Sequence, residues 1–101
     1  MRTAMAENLP PDPLFRKTVT ILNNRGLHAR AAAKFVKTTE HFRCEIKVCH
    51  KDQTACGRSI LELLMLAAMP GSQIEIITRG SDAQRAAETL YDLVAAKFGE
   101  E

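Results

Sequence analysis

The stretch NNRGLHARAAAKF, residues 23–35, places His28 where a turn meets a helix. Its two asparagines and Gly26 are typical of turns, and the alanines that begin at Ala29 favour a helix. A histidine at the start of a helix lies beside backbone N–H groups that have no partner within the helix. The positive end of the helix dipole disfavours a charged imidazolium, so we expect a neutral ring that can act as a nucleophile.

The two residues after His28 could hold an anion attached to its ring. The backbone N–H groups of Ala29 and Arg30 are free at the start of the helix, and the guanidinium of Arg30 presents a fork of donors that matches phosphate oxygens. A nucleophilic imidazole beside such donors is suited to forming a phosphohistidine. A turn histidine that only hydrogen-bonds to the backbone is the alternative, and the residue types alone do not decide between the two.

Composition and charge exclude several classes of protein. The 101 residues fit one domain with one hydrophobic core. Fourteen Lys and Arg against twelve Asp and Glu leave a net charge of +2, which does not indicate a nucleic-acid binder. No apolar run approaches the roughly 20 residues that cross a bilayer, and the N-terminus lacks the apolar stretch of a secretion signal. We therefore expect a cytoplasmic protein that binds neither nucleic acid nor membrane.

A metal site has to be considered because three cysteines and two histidines lie between residues 41 and 56. Their spacing matches no common zinc pattern, and on a strand over residues 44–50 Cys49 would point away from Cys44 and His50. The sequence therefore predicts no metal and no cofactor. It predicts instead three reduced, partly buried thiols and two surface histidines: Cys44, Cys49, Cys56, His41 and His50.

Hydrophobic periodicity predicts the elements that must hold His28 in place. Strands are expected at residues 17–22, 44–50, 53–56 and 73–78, and helices at 29–40, 60–68 and from about 83 onward. Two serines that precede Glu or Gln by three residues, Ser59 with Glu62 and Ser81 with Gln84, indicate capping boxes. They mark the starts of the second and third helices.

The same pattern predicts which helix faces are buried and how the elements pack. The buried stripes are Ala32, Phe35, Val36 and Thr39 in the first helix and Ala83, Ala86, Ala87, Leu90, Val94 and Phe98 in the third. The order β-α-β-β-α-β-α favours an α+β, two-layer domain in which the helices cover one face of a mainly antiparallel sheet. Residues 1–14 carry three prolines and no pattern, so we expect a flexible tail before a domain that spans 15–101.

Two short motifs resemble those of the HPr family, the phosphocarrier proteins of the phosphoenolpyruvate-dependent phosphotransferase system. GLHAR at residues 26–30 is similar to the family's active-site signature. GRSIL at residues 57–61 is similar to its regulatory-serine segment, with Ser59 standing 31 residues beyond His28. The resemblance covers roughly residues 17–98. It departs at Ala31, where the family commonly has a proline that begins the helix. This variant resembles some proteobacterial members, including ones of the nitrogen-related branch.

The resemblance implies a role for each matching residue. His28 matches the histidine that Enzyme I phosphorylates on Nδ1 with a phosphoryl group from phosphoenolpyruvate, and Arg30 matches the arginine that contacts the phosphate. Ser59 matches the serine that HPr kinase/phosphorylase modifies in many members, although helix capping alone also explains this residue. The family fold is an open-faced sandwich with a four-stranded antiparallel sheet and three helices on one side. We expect a monomer that passes phosphoryl groups to downstream EIIA-type proteins, without independent turnover of a small substrate.

The second helix carries more apolar side chains than one buried face can use. Leu63, Leu66 and Ala67 can face the core together, which leaves a second stripe, here called the apolar patch, made of Ile60, Leu61, Leu64 and Met65. A fully buried helix is the alternative, but a domain of this size has little room for one. In the HPr family this helix docks on Enzyme I and on acceptor proteins together with the first helix, which here presents Ala33 and Lys37.

A second functional class remains open at this point. A regulatory HPr-like module would act through contacts with a kinase or a transcription factor, or through phosphorylated Ser59, rather than through phosphoryl transfer. The intact His28 and Arg30 favour the phosphocarrier. The sequence does not distinguish an acceptor in a sugar permease from one in the nitrogen-related branch.

Overall fold

A computed structural model describes residues 12–100, so most of the predicted tail lies outside the described residues. The elements follow the predicted order β-α-β-β-α-β-α. They are β1 (Leu14–Thr20), α1 (Ala29–Thr39), β2 (Glu45–His50), β3 (Gln53–Cys56), α2 (Ile60–Met65), β4 (Gln73–Arg79) and α3 (Ala83–Ala95), followed by a 3-10 turn (Lys97–Gly99). The α+β architecture is confirmed.

The four strands form one antiparallel sheet in the order β1-β4-β2-β3. The central strand β4 alternates strictly, because Ile74, Ile76 and Thr78 are buried under the helices and the residues between them face the other side. All three helices cover the same face of the sheet. The result is the open-faced, two-layer sandwich that the pattern of elements predicts.

The core lies between the sheet and the helices, and the stripe predicted for α3 is confirmed. All six of its residues are fully buried, including Phe98, which lies beyond the helix in the 3-10 turn. In α1 the stripe is shifted by a small rotation of the helix. Ala31 is fully buried, whereas Val36 is only half-buried against the core.

The first strand begins three residues earlier than predicted, at Leu14, and ends at Thr20. Lys17 occupies an inward-facing position, where its ammonium group lies 5.4 Å from the centre of the Tyr91 ring. Because Lys17 is polar, it interrupts the alternation of apolar residues on the inward face. The pattern therefore does not extend the strand back to Leu14. Ile21, predicted to belong to this strand, is fully buried but lies beyond its end and bonds to the loop before β4: its N–H donates to the Ser72 carbonyl at 2.8 Å.

The second helix is shorter than predicted, because it ends at Met65 and the chain then turns sharply. Ala67 has a left-handed backbone with φ of 52° and is exposed, so its predicted place in the core is wrong. Leu66 is buried as predicted, and Ala68 is buried in place of Ala67. The turn is needed because the Ala68 carbonyl accepts a hydrogen bond from Leu27 N–H at 3.0 Å.

Of the two predicted capping boxes, only the serine half of the one at Ser59 is present, because the N–H of Ser59 bonds to the Cys56 carbonyl and not to Glu62. Ser59 caps α2, since its Oγ accepts the N–H of Glu62 at 3.1 Å, while the Glu62 carboxylate accepts the N–H of Cys56 at 2.8 Å. The box predicted at Ser81 and Gln84 is wrong, because Asp82 is the residue at the start of α3 and makes no side-chain cap. Its carboxylate accepts the N–H of Arg43 at 2.7 Å, which ties α3 to the loop before β2.

The histidines and cysteines between residues 41 and 56 differ in part from the prediction. His50 is buried rather than on the surface, and its Nδ1 lies 3.0 Å from the Leu66 carbonyl oxygen. Cys56 is exposed, whereas Cys44 and Cys49 are half-buried and burial raises the pKa of the Cys44 thiol. Within residues 12–100, no three His, Cys, Asp or Glu side chains lie close enough together to hold a metal ion. No helix in this range is long and apolar enough to cross a membrane.

Gly26 permits the closest backbone contact near His28, and a pair of glycine variants tests it. A Cβ at Gly26 would lie 2.7 Å from the Ala68 carbonyl oxygen, at a left-handed φ of +65°. Gly71 has a φ of +89° but no atom within 4 Å of such a Cβ. We expect Gly26→Ala to lower the free energy of unfolding by about 3 kcal/mol and Gly71→Ala by about 1 kcal/mol, measured by urea denaturation. Equal losses would show that only the backbone angle matters.

Candidate functional site

His28 is the N-cap residue of α1, directly before the first helical residue, as its position in the sequence predicts. Its backbone is extended, with φ of −85° and ψ of −178°, and its carbonyl accepts the N–H of Ala32 at 2.8 Å. The preceding turn is tight, because His28 N–H donates to the Gly26 carbonyl at 2.9 Å. The side chain does not cap the helix, so the imidazole is free to make other contacts.

The ring of His28 contacts Glu100, a residue that the sequence analysis did not connect with the site. Nε2 lies 2.6 Å from Oε2 of Glu100, and the two side chains are only 14% and 17% exposed. Oε1 of Glu100 accepts a hydrogen bond from Nδ2 of Asn23 at 3.0 Å. Asn23 is fully buried and also donates to the Gly26 carbonyl at 2.8 Å. Asn23 therefore joins the turn before His28 to Glu100.

Glu100 reaches the ring because the chain turns back after α3. Lys97, Phe98 and Gly99 all have left-handed backbones, with φ of 60°, 56° and 76°. The fully buried Phe98 anchors this turn in the core, and its carbonyl accepts a hydrogen bond from Nζ of Lys34 at 2.7 Å. We call residues 97–100 the return segment. Gly99 is a sequence signal for a left-handed residue after α3, but the left-handed backbones of Lys97 and Phe98 leave no pattern that predicts the path to His28.

The contact with His28 changes the acidity of Glu100. The hydrogen bond from the His28 ring is the largest influence, and it lowers the pKa of the Glu100 carboxyl below its ordinary value. The hydrogen bond from Asn23 and the positive charge of Lys34 act in the same direction, while partial desolvation opposes them. Glu100 is therefore an ionised carboxylate at neutral pH, and it accepts a hydrogen bond from Nε2–H of the ring.

The other side of the imidazole is open to a reaction partner. Within residues 12–100 no hydrogen bond engages Nδ1 of His28. Ala29 and Arg30, the first two residues of α1, are both exposed. Their N–H groups belong to the first turn, where α-helical backbone donors have no partner within the helix. The ring thus has a nitrogen without a partner among residues 12–100, next to backbone N–H groups that could donate hydrogen bonds to an anion.

Ser59 lies at the start of α2, preceded by an arginine whose contacts the sequence did not reveal. The guanidinium of Arg58 donates to the carbonyls of Thr39, Phe42 and Cys44, each at 2.8 Å. Thr39 is the last residue of α1, so Arg58 links the end of α1 to the start of α2. Ser59 itself is half-buried, with its hydroxyl occupied by the cap on Glu62.

The apolar patch is largely exposed, which excludes a fully buried α2. Leu61 and Met65 are 68% and 67% exposed and Ile60 is 41% exposed, whereas Leu64 is half-buried against the core. Two apolar residues outside the predicted set are also exposed: Met69, which lies beside Gly26, and Leu22 in the loop before α1. On α1, Ala33 and Lys37 are exposed as predicted.

Comparisons with known proteins agree with this geometry. Residues 15–96 match the family model described as the PTS HPr component phosphorylation site. The chain is 41% identical over 87 residues to the phosphocarrier protein HPr of Neisseria meningitidis serogroup A, covering 86% of this chain and 98% of that protein. It is 40% identical over 84 residues to the phosphocarrier protein NPr of Shewanella violacea, covering 83% and 92% of the two chains.

A solved structure gives the same result for the fold. The crystal structure of HPr-C-His from Thermoanaerobacter tengcongensis superimposes with a TM-score of 0.82 at 36% identity, covering 86% of this chain and 98% of that one. Sequence and structure thus agree over nearly the whole length of these relatives. The chain belongs to the HPr family, the phosphocarrier proteins of the phosphotransferase system.

Proposed function

We propose that His28 carries the phosphoryl group on Nδ1, receiving it from phospho-Enzyme I and passing it to an EIIA-type protein. The observation that carries this proposal is the state of the ring at the start of α1. Nε2 is engaged by Glu100 at 2.6 Å, and no hydrogen bond from residues 12–100 engages Nδ1 beside the first turn of the helix. The nitrogen left for attack is therefore Nδ1.

The surroundings of Nδ1 suit a phosphoryl group once it has transferred. The backbone N–H groups of Ala29 and Arg30 and the positive end of the helix dipole favour a bound anion. The guanidinium of Arg30 can donate two hydrogen bonds to phosphate oxygens and can swing toward them, because it is exposed. This environment stabilises the phosphorylated state without enclosing it, so a second protein can still reach the phosphorus.

The apolar patch is the proposed docking surface for Enzyme I and for the acceptor. Three of its four residues are exposed, Met69 and Leu22 add exposed apolar side chains in the loops after α2 and before α1, and Ala33 and Lys37 are exposed on α1. A partner that covers this surface would bring its own reactive group to the ring. Exposed apolar surface of this kind in a small soluble domain is typical of protein interfaces.

Ser59 is the proposed site of regulatory phosphorylation by an HPr kinase/phosphorylase. A phosphate there would stay at the start of α2, where negative charge is favourable, so the helix would remain folded. It would add about two negative charges next to the apolar patch and next to Glu62. We therefore expect weaker docking of partners rather than unfolding.

A labelling experiment tests the role of His28. Incubation with Enzyme I and phosphoenolpyruvate should add one acid-labile phosphate per chain, because the P–N bond of a phosphohistidine hydrolyses in acid. His28→Ala should take up none. His41→Ala, which removes an exposed histidine from the far end of α1, is the control and should be labelled like the wild type. Equal labelling of His28→Ala would refute the proposal, and partner binding that ignores changes at His28 would favour the regulatory module.

A charge placed in the apolar patch tests the docking surface. Leu61→Glu should raise the KM for this protein in the Enzyme I reaction by about tenfold, because it puts a charge in the centre of an apolar contact. Leu61 is 68% exposed, so the variant should unfold at the same urea concentration as the wild type. Leu14→Glu, a change of the same kind at the start of β1, is the control and should leave KM unchanged. Similar effects of both variants would place docking elsewhere.

Variants of Ser59 separate its capping role from its regulatory role. Ser59→Ala removes the acceptor for Glu62 N–H and should lower the free energy of unfolding by about 1 kcal/mol. Ser59→Asp keeps a capping acceptor, so it should retain stability but slow phosphorylation by Enzyme I. Ser81→Ala is the control for stability and should cost less, because Ser81 does not cap α3 and its hydroxyl donates only an exposed 3.3 Å hydrogen bond to the Arg43 carbonyl. An aspartate variant that docks normally would remove the support for regulation at this residue.

A further inference from the structure

Glu100 contacts the reacting ring from the nitrogen opposite to the one proposed to carry phosphate. We propose that Glu100 is a positioning residue for phosphoryl transfer: its carboxylate keeps the ring proton on Nε2 and balances the charge that the ring gains when Nδ1 is phosphorylated. This inference rests on the proposed role of His28. It assigns a function to a residue at the other end of the chain, joined to the ring at 2.6 Å.

The first part of the role follows from the hydrogen-bonding chemistry of the pair. An ionised carboxylate has acceptors and no donor, so the ring nitrogen that faces it at 2.6 Å must carry the proton. A neutral imidazole with its proton on Nε2 has its lone pair on Nδ1. The other tautomer has its proton on Nδ1 and cannot attack phosphorus there. Glu100 therefore selects the reactive tautomer before the donor arrives.

The second part follows from the balance of the transfer step. The Nδ1 lone pair forms a bond to phosphorus while the bond from phosphorus to the donor's leaving atom breaks, and that atom keeps the electron pair. The proton on Nε2 stays where it is, so the ring becomes an imidazolium with a phosphoryl group on Nδ1. The carboxylate of Glu100 offsets this new positive charge. The side chains are 14% and 17% exposed, so water screens the attraction only in part.

Contacts with the folded domain hold the carboxylate of Glu100 in place. Asn23, fully buried, donates to Oε1 of Glu100 at 3.0 Å. Lys34 holds the Phe98 carbonyl at 2.7 Å, and the Phe98 side chain is inserted into the core. Left-handed backbones at Lys97 and Phe98 are unfavourable for residues with a side chain, so these contacts have to hold the return segment in place.

The geometry also argues against the alternative that Glu100 inhibits the reaction by covering the site. A segment that blocks the reaction would have to cover Nδ1 or the start of α1. Glu100 instead contacts Nε2, and Ala29 and Arg30 remain exposed. Removal of the carboxylate should therefore slow the reaction rather than release it.

Two variants of Glu100, studied in the full chain, test the inference. The ¹⁵N resonances of the His28 ring report which nitrogen carries the proton, and quenched-flow labelling with phospho-Enzyme I gives the transfer rate. Glu100→Ala should give a mixture of tautomers and slow the transfer about tenfold, the usual scale for a hydrogen bond to a charged partner. Glu100→Gln keeps an acceptor without the charge, so it should preserve the tautomer better than Glu100→Ala and still transfer more slowly than the wild type.

The control and the contrary outcomes are distinct. Glu88→Gln removes an exposed carboxylate on α3 that bonds only to Gln84 among residues 12–100, and it should change neither readout. A Glu100→Ala protein with an unchanged tautomer and an unchanged rate would overturn the positioning role, and a faster rate would make the return segment an obstacle. In both cases the proposed function would stand as long as wild-type His28 is labelled. A wild-type protein that takes up no label would refute the proposed function itself.

Discussion

The loop before α1 and the loop after α2 approach each other closely, and this contact determines the geometry of the site. Leu27 N–H donates to the Ala68 carbonyl at 3.0 Å, and Gly26 leaves room for this contact because it has no side chain. The same contact requires α2 to end early and Ala67 to adopt a left-handed backbone. The His28 ring and the apolar patch therefore lie on parts of the chain that are fixed to each other.

Most of the fold could be predicted from the sequence, because the elements that matter are periodic. Alternation identified the strands, and the stripe from Ala83 to Phe98 was confirmed at every position. Two of the errors arose where a polar side chain occupies an inward-facing strand position and where two neighbouring residues could each be the N-cap of a helix. Lys17 faces the helices beneath Tyr91, and Asp82, not Ser81, begins α3. The local sequence pattern cannot decide such cases, because they depend on contacts with residues far away in the sequence.

The site was only half predictable, for a related reason. His28 and Arg30 stand at a turn-to-helix boundary, which is a local signal, and the family motif names the same residues. Glu100 lies 72 residues from His28 and reaches it through three consecutive left-handed residues, which leave no periodic signal. The buried Asn23 reads only as a turn residue until its bond to Glu100 is known. Long-range polar pairs of this kind follow from the fold and cannot be read before it.

Arg58 adds a mechanical property to this arrangement. Its guanidinium bonds to the carbonyl of Thr39 at the end of α1 and so ties that end to the chain entering α2. At the other end, Leu27 and Ala68 join the start of α1 to the chain leaving α2. Two antiparallel helices clamped at both ends resist sliding and splaying against each other. A force applied to α2 therefore moves both helices together, and the His28 ring keeps its place relative to the exposed side chains of α2.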